Sequence, residues 1–144
     1  MPDIEYEFPI RGSLARVFTG VSTPAGLDQW WTLRSAGKPA AGGIYALDFG
    51  PGHFWRARVE ACDAPTLFVL EFTEALPDWV GTRVQFHLSP IDAKRTTVRF
   101  THAGWRDESQ HYRVSAFCWA MYLRILRRHI ESGDVVPYDK RLDV

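Results

Sequence analysis

Cysteine is scarce in this chain, whose 144 residues include only Cys62 and Cys118. The two residues lie far apart in the sequence, and each is part of an apolar pattern. Such a count excludes a small fold held together by several disulfide bonds. Because free cysteine is commonly buried, we expect both residues to be free thiols in the interior.

An excess of charge of either sign is also missing, since 17 lysines and arginines balance 17 aspartates and glutamates. A chain without net charge has no general attraction to nucleic acid or to anionic membranes. No apolar run approaches the roughly 18 residues of a membrane-spanning helix, and Met1–Ser13 does not have the form of a signal peptide. At this length we expect one domain covering residues 1–144, in the cytoplasm.

The motifs of several enzyme classes are absent. The five histidines belong to no HExxH motif and there is no CxxC pair, so the sequence predicts no metal site. The absence of GxSxG argues against a serine hydrolase. The segments 42–43 and 50–52 contain glycine but are typical of turns and not of phosphate-binding loops. The sequence therefore predicts no cofactor, and no motif identifies a catalytic residue.

What the sequence does contain is a long helical pattern from about Asp107 to Ser132. It begins with residues 107–110, which have the form of a capping box. It ends before Gly133, where glycine suits a left-handed cap. At about 1.5 Å per residue this helix would be roughly 39 Å long.

Two apolar stripes follow this helix. The first occupies one narrow sector, and its members are Tyr112, Ala116, Trp119, Leu123, Leu126 and Ile130. A second set lies roughly opposite and consists of Val114, Phe117, Cys118, Met121 and Ile125. Since one face is enough to pack on the rest of the chain, the other needs a loop or a partner. We expect a homodimer formed through Val114, Phe117, Met121 and Ile125.

Six segments have either the alternation of apolar and polar residues or the composition that is typical of strands, and each is expected to have one buried face. They are Asp3–Arg11, Ile44–Phe49, Phe54–Cys62, Thr66–Thr73, Arg83–Ser89 and Arg95–His102. Two short helices, 13–20 and 23–30, follow the first strand, and Trp31–Gly43 is predicted to be a loop. Because short turns separate the later strands, we expect an antiparallel sheet with one face buried under the long helix. The gap between a curved sheet and one helix is a common place for a ligand.

Short segments in a characteristic order support this arrangement. They are residues 13–18, 27–31, 42–45, 59–61, 65–67 and 96–105, followed by Trp119, Leu123 and Leu126. Together they resemble the helix-grip fold of the START/Bet v 1-like (SRPBCC) superfamily, in particular the group named after the C-terminal domain of the activator of the Hsp90 ATPase.

This resemblance covers about the whole chain and implies an α+β fold with an internal cavity. In that fold a curved six-stranded antiparallel sheet wraps around a long C-terminal helix, and two short helices follow the first strand. The resemblance does not imply one activity, since members of the family look like lipid or polyketide binders, cyclase-like enzymes or chaperone co-factors.

Aromatic residues are dense in the segments that would face the cavity. Core packing explains many of them, but tryptophan is seldom fully buried, and converging rings suit a flat apolar ligand. The predicted ligand-binding residues are Trp30, Trp31, Tyr45, Trp55, Val59, Val69, Glu71, Trp79, Phe86, His102, Trp119 and Leu123.

Glu71 interrupts an otherwise apolar strand, and two registers are open. The register that buries Leu70 and Phe72 leaves Glu71 in solvent, and the apolar pattern favours it. The opposite register, which buries Leu67 and Val69 and matches the family's pattern, turns Glu71 into the cavity. A carboxyl group there could bind a polar ligand group or move a proton.

His102 ends the last strand. It is two residues from Phe100 and four from Val98, so its side chain should point to the same inner face as theirs. We interpret it as a hydrogen-bonded histidine that fixes the corner between the last strand and the long helix. The alternative is a polar group at one end of the cavity.

The leading interpretation is a cytoplasmic protein that binds a small apolar or amphipathic molecule between the sheet and the long helix. One alternative is a cyclase- or hydrolase-like enzyme in which Glu71 and His102 act as an acid–base pair. Another is an interaction module that dimerises or associates with a chaperone. Neither nucleic acid nor a membrane is expected as a partner.

Overall fold

The chain folds into one curved antiparallel sheet packed against a long helix, in a computed structural model that describes residues 2–143. The strands are β1 (Ile4–Ile10), β2 (Arg34–Ala36), β3 (Ile44–Asp48), β4 (Phe54–Asp63), β5 (Leu67–Glu74), β6 (Arg83–Asp92) and β7 (Arg95–Ala103). The helices are α1 (Leu14–Ser22), α2 (Pro24–Leu27) and α3 (Gln110–Ser132), followed by a terminal 3-10 helix, Tyr138–Asp143. The sheet order is β1-β7-β6-β5-β4-β3-β2. The predicted helix-grip α+β fold is therefore confirmed.

The sheet has seven strands and not the predicted six. The additional strand is β2, which lies in the segment that was predicted to be a loop and pairs with β3 at the edge of the sheet. The sequence of this strand, Arg-Ser-Ala, is too short to show an apolar pattern. Only its pairing with β3 makes it a strand.

Local capping signals explain where the helices begin. The Ser13 side chain accepts a hydrogen bond from the Arg16 backbone N–H at the start of α1, and Thr23 does the same for Gly26 at the start of α2. α2 is shorter than predicted and ends at Leu27, after which the chain continues in turns.

The long helix starts later than predicted. Its cap is Ser109, whose side chain accepts a hydrogen bond from the Tyr112 backbone N–H at 3.2 Å, so the cap is not Asp107. The C-terminal prediction is confirmed: the helix ends at Ser132, and Gly133 has a φ of 79°.

The register of β5 decides the position of Glu71. Leu70 and Phe72 are each 1% exposed on the inner face, whereas Glu71 lies on the outer face. There it is the cross-strand neighbour of both Arg58 and Arg83, and its carboxylate lies 3.3 Å from the Arg58 guanidinium. The prediction that Glu71 lines a cavity is therefore wrong. The physical reason is that burying large apolar side chains is favourable, whereas burying a carboxylate is costly.

Val69 shares the outer face with Glu71 and is buried there, outside the main core. The prediction that Val69 lines the cavity is therefore also wrong, because the register of β5 turns its side chain to the outer face.

One residue of the predicted dimer surface is also misplaced. Ile125 is 1% exposed within the chain itself. α3 contacts β1, α1 and the terminal 3-10 helix, so its C-terminal half is enclosed on more than one side. Ile125 therefore cannot contribute to an interface between copies.

No helix within residues 2–143 combines the length and the apolar character needed to cross a membrane.

Candidate functional site

A groove of about 290 Å³ runs along one side of α3, where this helix faces the β3–β4 hairpin and the loop between β5 and β6. Its volume is at the lower end of the range of about 300–1,000 Å³ for ligand pockets. We call it the aromatic groove, and the residues that line it are Trp31, Phe49, His53, Trp55, Leu76, Trp79, His111, Val114, Ser115, Cys118, Trp119, Tyr122 and Tyr138. This set contains no Asp, Glu, Lys or Arg side chain.

A larger depression of about 760 Å³ lies on the surface near Arg11, Asp92 and Lys94. No aromatic side chain lines it, and several of its charged groups are exposed. Ligand pockets are mostly apolar with few polar groups, so the aromatic groove is the better candidate site.

α3 supplies one wall of the groove as a single stripe. Its members are His111, Val114, Ser115, Cys118, Trp119 and Tyr122, which share one face because residues three or four apart are neighbours on a helix. From His111 to Tyr122 the stripe extends roughly 16 Å along the helix axis, at about 1.5 Å per residue. The groove is therefore elongated.

The opposite wall comes from two connections between strands. Phe49 and Trp55 flank the β3–β4 turn with ring centroids 4.8 Å apart, and Trp55 lies 5.0 Å from Trp79 of the β5–β6 loop. Tyr138 lines the groove as well, because its hydroxyl donates a hydrogen bond to the Phe49 carbonyl oxygen at 2.7 Å. The C-terminal segment is thus tied to the hairpin.

Next to the groove, the space between the sheet and α3 is filled by side chains. Trp119 packs on Phe100 with centroids 4.6 Å apart, and Trp30 meets the edge of Phe86 at 6.1 Å. These four rings are each at most 1% exposed. We call this cluster the aromatic interior. The predicted gap is therefore closed here. It is open along the aromatic groove, and a smaller pocket of about 200 Å³ lies between β1 and α3 near Leu123.

His102 belongs to the closed part of the interface. The Trp119 indole N–H donates to His102 Nδ1 at 3.0 Å, and His102 Nε2 lies 2.7 Å from the Thr82 hydroxyl. The Thr82 hydroxyl in turn donates to the Trp79 carbonyl oxygen at 2.6 Å. Both ring nitrogens therefore have partners, and burial lowers the pKa of His102 to about 3. This geometry supports the interpretation of a neutral histidine that fixes the corner.

The predicted acid–base pair is not formed. Glu71 lies on the outer face of the sheet with Arg58, whereas His102 is fully buried on the inner face. A carboxylate and an imidazole on opposite faces of a sheet cannot exchange a proton directly, because that requires contact within hydrogen-bond reach.

Trp79 links the groove to the aromatic interior. Its indole N–H donates to the Ser115 hydroxyl at 3.2 Å, and its ring meets His102 edge-on with centroids 4.5 Å apart. The β5–β6 loop is therefore anchored to α3 by a buried hydrogen bond. This anchor makes the loop wall part of a preformed site.

The groove presents neutral polar groups. Burial raises the pKa of Tyr122 to about 12 and also raises the pKa of the Cys118 thiol. Both groups are therefore protonated at neutral pH, and a protonated thiol is a poor nucleophile. The Tyr122 hydroxyl has no hydrogen-bond partner among residues 2–143, so it is free to bind a ligand oxygen.

At the other end of the groove His111 meets a carboxylate. Its Nδ1 lies 3.3 Å from Asp78 Oδ2, and its ring packs between Trp79 and Trp105. Asp78 orients the imidazole at the groove end near the start of α3.

The structure brings together four of the predicted ligand-binding residues, Trp31, Trp55, Trp79 and Trp119. The other inward-facing predicted residues pack outside the groove and are Trp30, Tyr45, Val59, Phe86, His102 and Leu123. Trp30 and Tyr45 hydrogen-bond to the backbone of α1, at Gly20 and Ser22 respectively. These bonds explain why both rings are core residues.

Sequence reasoning missed several lining residues, namely Phe49, His53, Leu76, His111, Val114, Ser115, Cys118, Tyr122 and Tyr138. Helical spacing from Trp119 could have identified Ser115 and Tyr122, which share its face. Tyr138 carries no such signal, because it reaches the groove only after the chain turns back at Gly133.

Part of the second apolar set on α3 is in solvent. Phe117 is 79% exposed and Val114 is 51% exposed, and Met121 is partly buried. Large apolar side chains exposed together are typical of an interaction surface.

Neither cysteine forms a disulfide bond within residues 2–143. In the same part of the chain, no three His, Cys, Asp or Glu side chains are grouped closely enough to hold a metal ion.

Residues 11–131 match the family model described as activator of Hsp90 ATPase homolog 1-like protein. Curated protein sequences give no significant match.

Solved structures give clear similarities at low identity. The Aha1 dimer from Colwellia psychrerythraea is 24% identical, with 93% of this chain and 99% of that chain covered and a TM-score of 0.83. Protein MLL2253 from Mesorhizobium loti is 17% identical, with coverage of 93% and 100% and a TM-score of 0.81. Protein BH1534 from Bacillus halodurans is 22% identical, with coverage of 91% and 98% and a TM-score of 0.75. At these identities the likeness shows the fold.

Proposed function

The chain belongs to the activator of Hsp90 ATPase homolog 1-like family, and from that premise we propose that it binds a small apolar or amphipathic molecule in the aromatic groove. The observation that carries this proposal is the contrast between the groove and its surroundings. In the aromatic interior the helix and the sheet are packed without a gap, whereas here four tryptophans line a space of about 290 Å³.

The chemistry of the lining defines the ligand class. Aromatic rings bury flat apolar surface with little loss of side-chain freedom, and the polar groups that remain can orient a ligand. The elongated shape favours a narrow molecule that lies along α3.

Catalysis by Glu71 and His102 is not part of the proposal. The first side chain is on the outer face of the sheet, and the second has both ring nitrogens occupied.

Binding can be tested with the apolar fluorophore N-phenylnaphthylamine and a variant that fills the groove. Cys118→Trp places a large ring among the lining residues, so we expect it to weaken binding at least about tenfold relative to the wild type. The matched control is Arg113→Trp, which introduces the same ring on α3 at an exposed position outside the groove lining and outside the proposed dimer surface. It should bind the probe as the wild type does.

Circular dichroism and thermal unfolding of both variants show whether they fold. If Cys118→Trp does not fold, the milder Cys118→Met takes its place, with a smaller expected loss. Absence of saturable binding to the wild type, or equal binding by the groove-filling and control variants, would contradict the proposal.

We also propose that the chain forms a homodimer through Val114, Phe117 and Met121. The exposure of Phe117 and Val114 supports this, as does the similar Colwellia psychrerythraea structure, which is a dimer. Sedimentation velocity should detect a dimer of the wild type and a monomer of Phe117→Ser. A wild type that remains monomeric at high concentration would rule the dimer out.

A further inference from the structure

Arg141 of the terminal 3-10 helix is a buried cation beside the aromatic groove, and it is only 3% exposed. Its guanidinium donates three hydrogen bonds: Nε to the Val136 carbonyl oxygen at 3.1 Å, Nη1 to that of Thr32 at 3.2 Å, and Nη2 to that of Asp28 at 2.8 Å. All three acceptors are backbone oxygens. They satisfy N–H groups but carry no formal charge.

No carboxylate within residues 2–143 lies at ion-pair distance from Arg141. The Asp28 carboxylate accepts hydrogen bonds from the neutral Thr32 and Ser35 hydroxyls, so it keeps its negative charge and acts on Arg141 without forming an ion pair with it. Asp48 pairs with Arg34 at 3.2 Å. A buried charge is normally paired, because leaving it without a counter-charge is costly. The positive charge of Arg141 is therefore compensated only in part, by a carboxylate that does not contact it.

Two groove-lining tyrosines lie next to this charge. The Arg141 Cζ atom is 5.3 Å from the ring centroid of Tyr138, and the charge also acts on the hydroxyl group of Tyr122. The Tyr138 hydroxyl donates to Phe49, whereas that of Tyr122 is free to donate. The groove end at Tyr122 and Tyr138 therefore combines a positive potential with an available O–H donor.

The other end of the groove differs in its charge balance. There His111 lies against the Asp78 carboxylate, which brings a negative charge to that end of the groove. Between the two ends the lining contains no Asp, Glu, Lys or Arg. An anionic group would consequently be stabilised best at the Tyr122 end, roughly 16 Å along the helix from His111.

We propose that the aromatic groove selects ligands with one anionic head group, such as a carboxylate or sulfonate, which binds at the Tyr122 end and is stabilised there by the nearby charge of Arg141. The Tyr122 hydroxyl donates a hydrogen bond to this head group. The apolar part of the ligand lies along α3 against Trp55 and Trp79. This inference rests on the proposed binding function and specifies its ligand class.

Two fluorophores that differ by one charged group test the inference. Anilinonaphthalene sulfonate has the skeleton of N-phenylnaphthylamine with an added sulfonate, so the ratio of their dissociation constants isolates the contribution of the anion. We expect the wild type to bind the sulfonate at least about tenfold more tightly, as a charge-assisted hydrogen bond and a nearby cation imply. The neutral probe should compete for the same site, and Cys118→Trp should weaken both.

Arg141→Gln should abolish the preference, which is measured as the ratio of the two dissociation constants of the same variant. The matched control is Arg127→Gln, which removes an arginine from the part of α3 that faces Tyr6 and Phe8, away from the groove. It should keep the full preference. Tyr122→Phe retains the guanidinium and removes only the hydroxyl, so it should reduce the preference in part even if Arg141→Gln loosens the terminal helix.

The outcomes separate the two proposals. If neither probe binds saturably, the binding function itself is wrong. If both bind equally well to the wild type, the groove binds ligands but the inference about the anion is wrong. A preference for the sulfonate that survives in both Arg141→Gln and Tyr122→Phe would likewise overturn the inference.

Discussion

The aromatic interior and the aromatic groove use the same kind of side chain on the same helix, yet one is closed and the other is open. In the interior, α3 faces β6 and β7, whose alternate side chains stand on a regular surface and meet the helix as interlocking rings. In the groove, α3 faces a hairpin and a loop, whose large side chains, among them Trp55 and Trp79, line an open space opposite the helix. The comparison shows that the packing opposite a tryptophan decides whether its ring belongs to the closed core or lines an open site.

Trp119 belongs to both regions. One side of its ring packs on Phe100, its indole N–H is bound to His102, and it also lines the groove. The contacts of Trp119 in the aromatic interior therefore fix the position of the ring that lines the aromatic groove. Such support from a rigid interior is what a preformed binding site requires.

The largest expected difference between the two regions is in stability. Phe86→Ala removes a ring that is 1% exposed, so it should lower the free energy of unfolding by about 3–5 kcal/mol. Urea denaturation monitored by circular dichroism measures this loss. A loss below about 1 kcal/mol would show that the interior is loosely packed and would contradict the contrast between a closed interior and an open groove.

A smaller effect comes from the buried histidine of the interior. The pKa of His102 is lowered to about 3 in the folded protein, whereas an unfolded histidine has a pKa of about 6.5. Between these values the unfolded state binds more protons, so stability is complete above about pH 6.5 and falls as the pH is lowered. His102 should account for a loss of about 2 kcal/mol between about pH 6.5 and pH 5.

The variant His102→Gln isolates this contribution, because glutamine can accept the Trp119 hydrogen bond but does not titrate in this range. Urea denaturation at several pH values should show a weaker pH dependence for the variant than for the wild type. Identical slopes would mean that His102 is not buried as a neutral group.

The smallest expected change in stability is in the groove. Cys118→Ala removes a side chain that borders open space, so no closed cavity forms and the loss should be under about 1 kcal/mol. Its ligand affinity should still change, since the side chain lines the site. A loss as large as that of Phe86→Ala would show that the groove is closed in solution.

The strands and helices were largely predictable, and the reasons are local. Alternation in β6 and β7 identified the buried residues Val84, Phe86, Val98 and Phe100, because side chains of a strand point to opposite faces by turns. The cap at Gly133 followed from the backbone conformation that glycine allows. Where local signals were missing or competed, as for the short β2 and for the start of α3, the predictions failed.

The site was predictable only in part. Trp31, Trp55, Trp79 and Trp119 were identified because large aromatic rings are the usual lining of apolar pockets. Composition does not distinguish them from Trp30, which differs only in that its indole meets the Gly20 carbonyl oxygen in the interior. That distinction depends on contacts between residues far apart in the sequence.

By itself the sequence determined the order of the strands and helices, the buried face of most strands and the family, because each depends on periodicity, caps or the order of short segments. Only the tertiary structure decided where the helix and the sheet separate and that Arg141 lies buried beside the groove, and it chose between the two registers that the sequence left open for Glu71. The physical reason is that an open space is defined by surfaces contributed from distant parts of the chain. Its shape depends on how far apart packing holds them, and no local pattern encodes that distance.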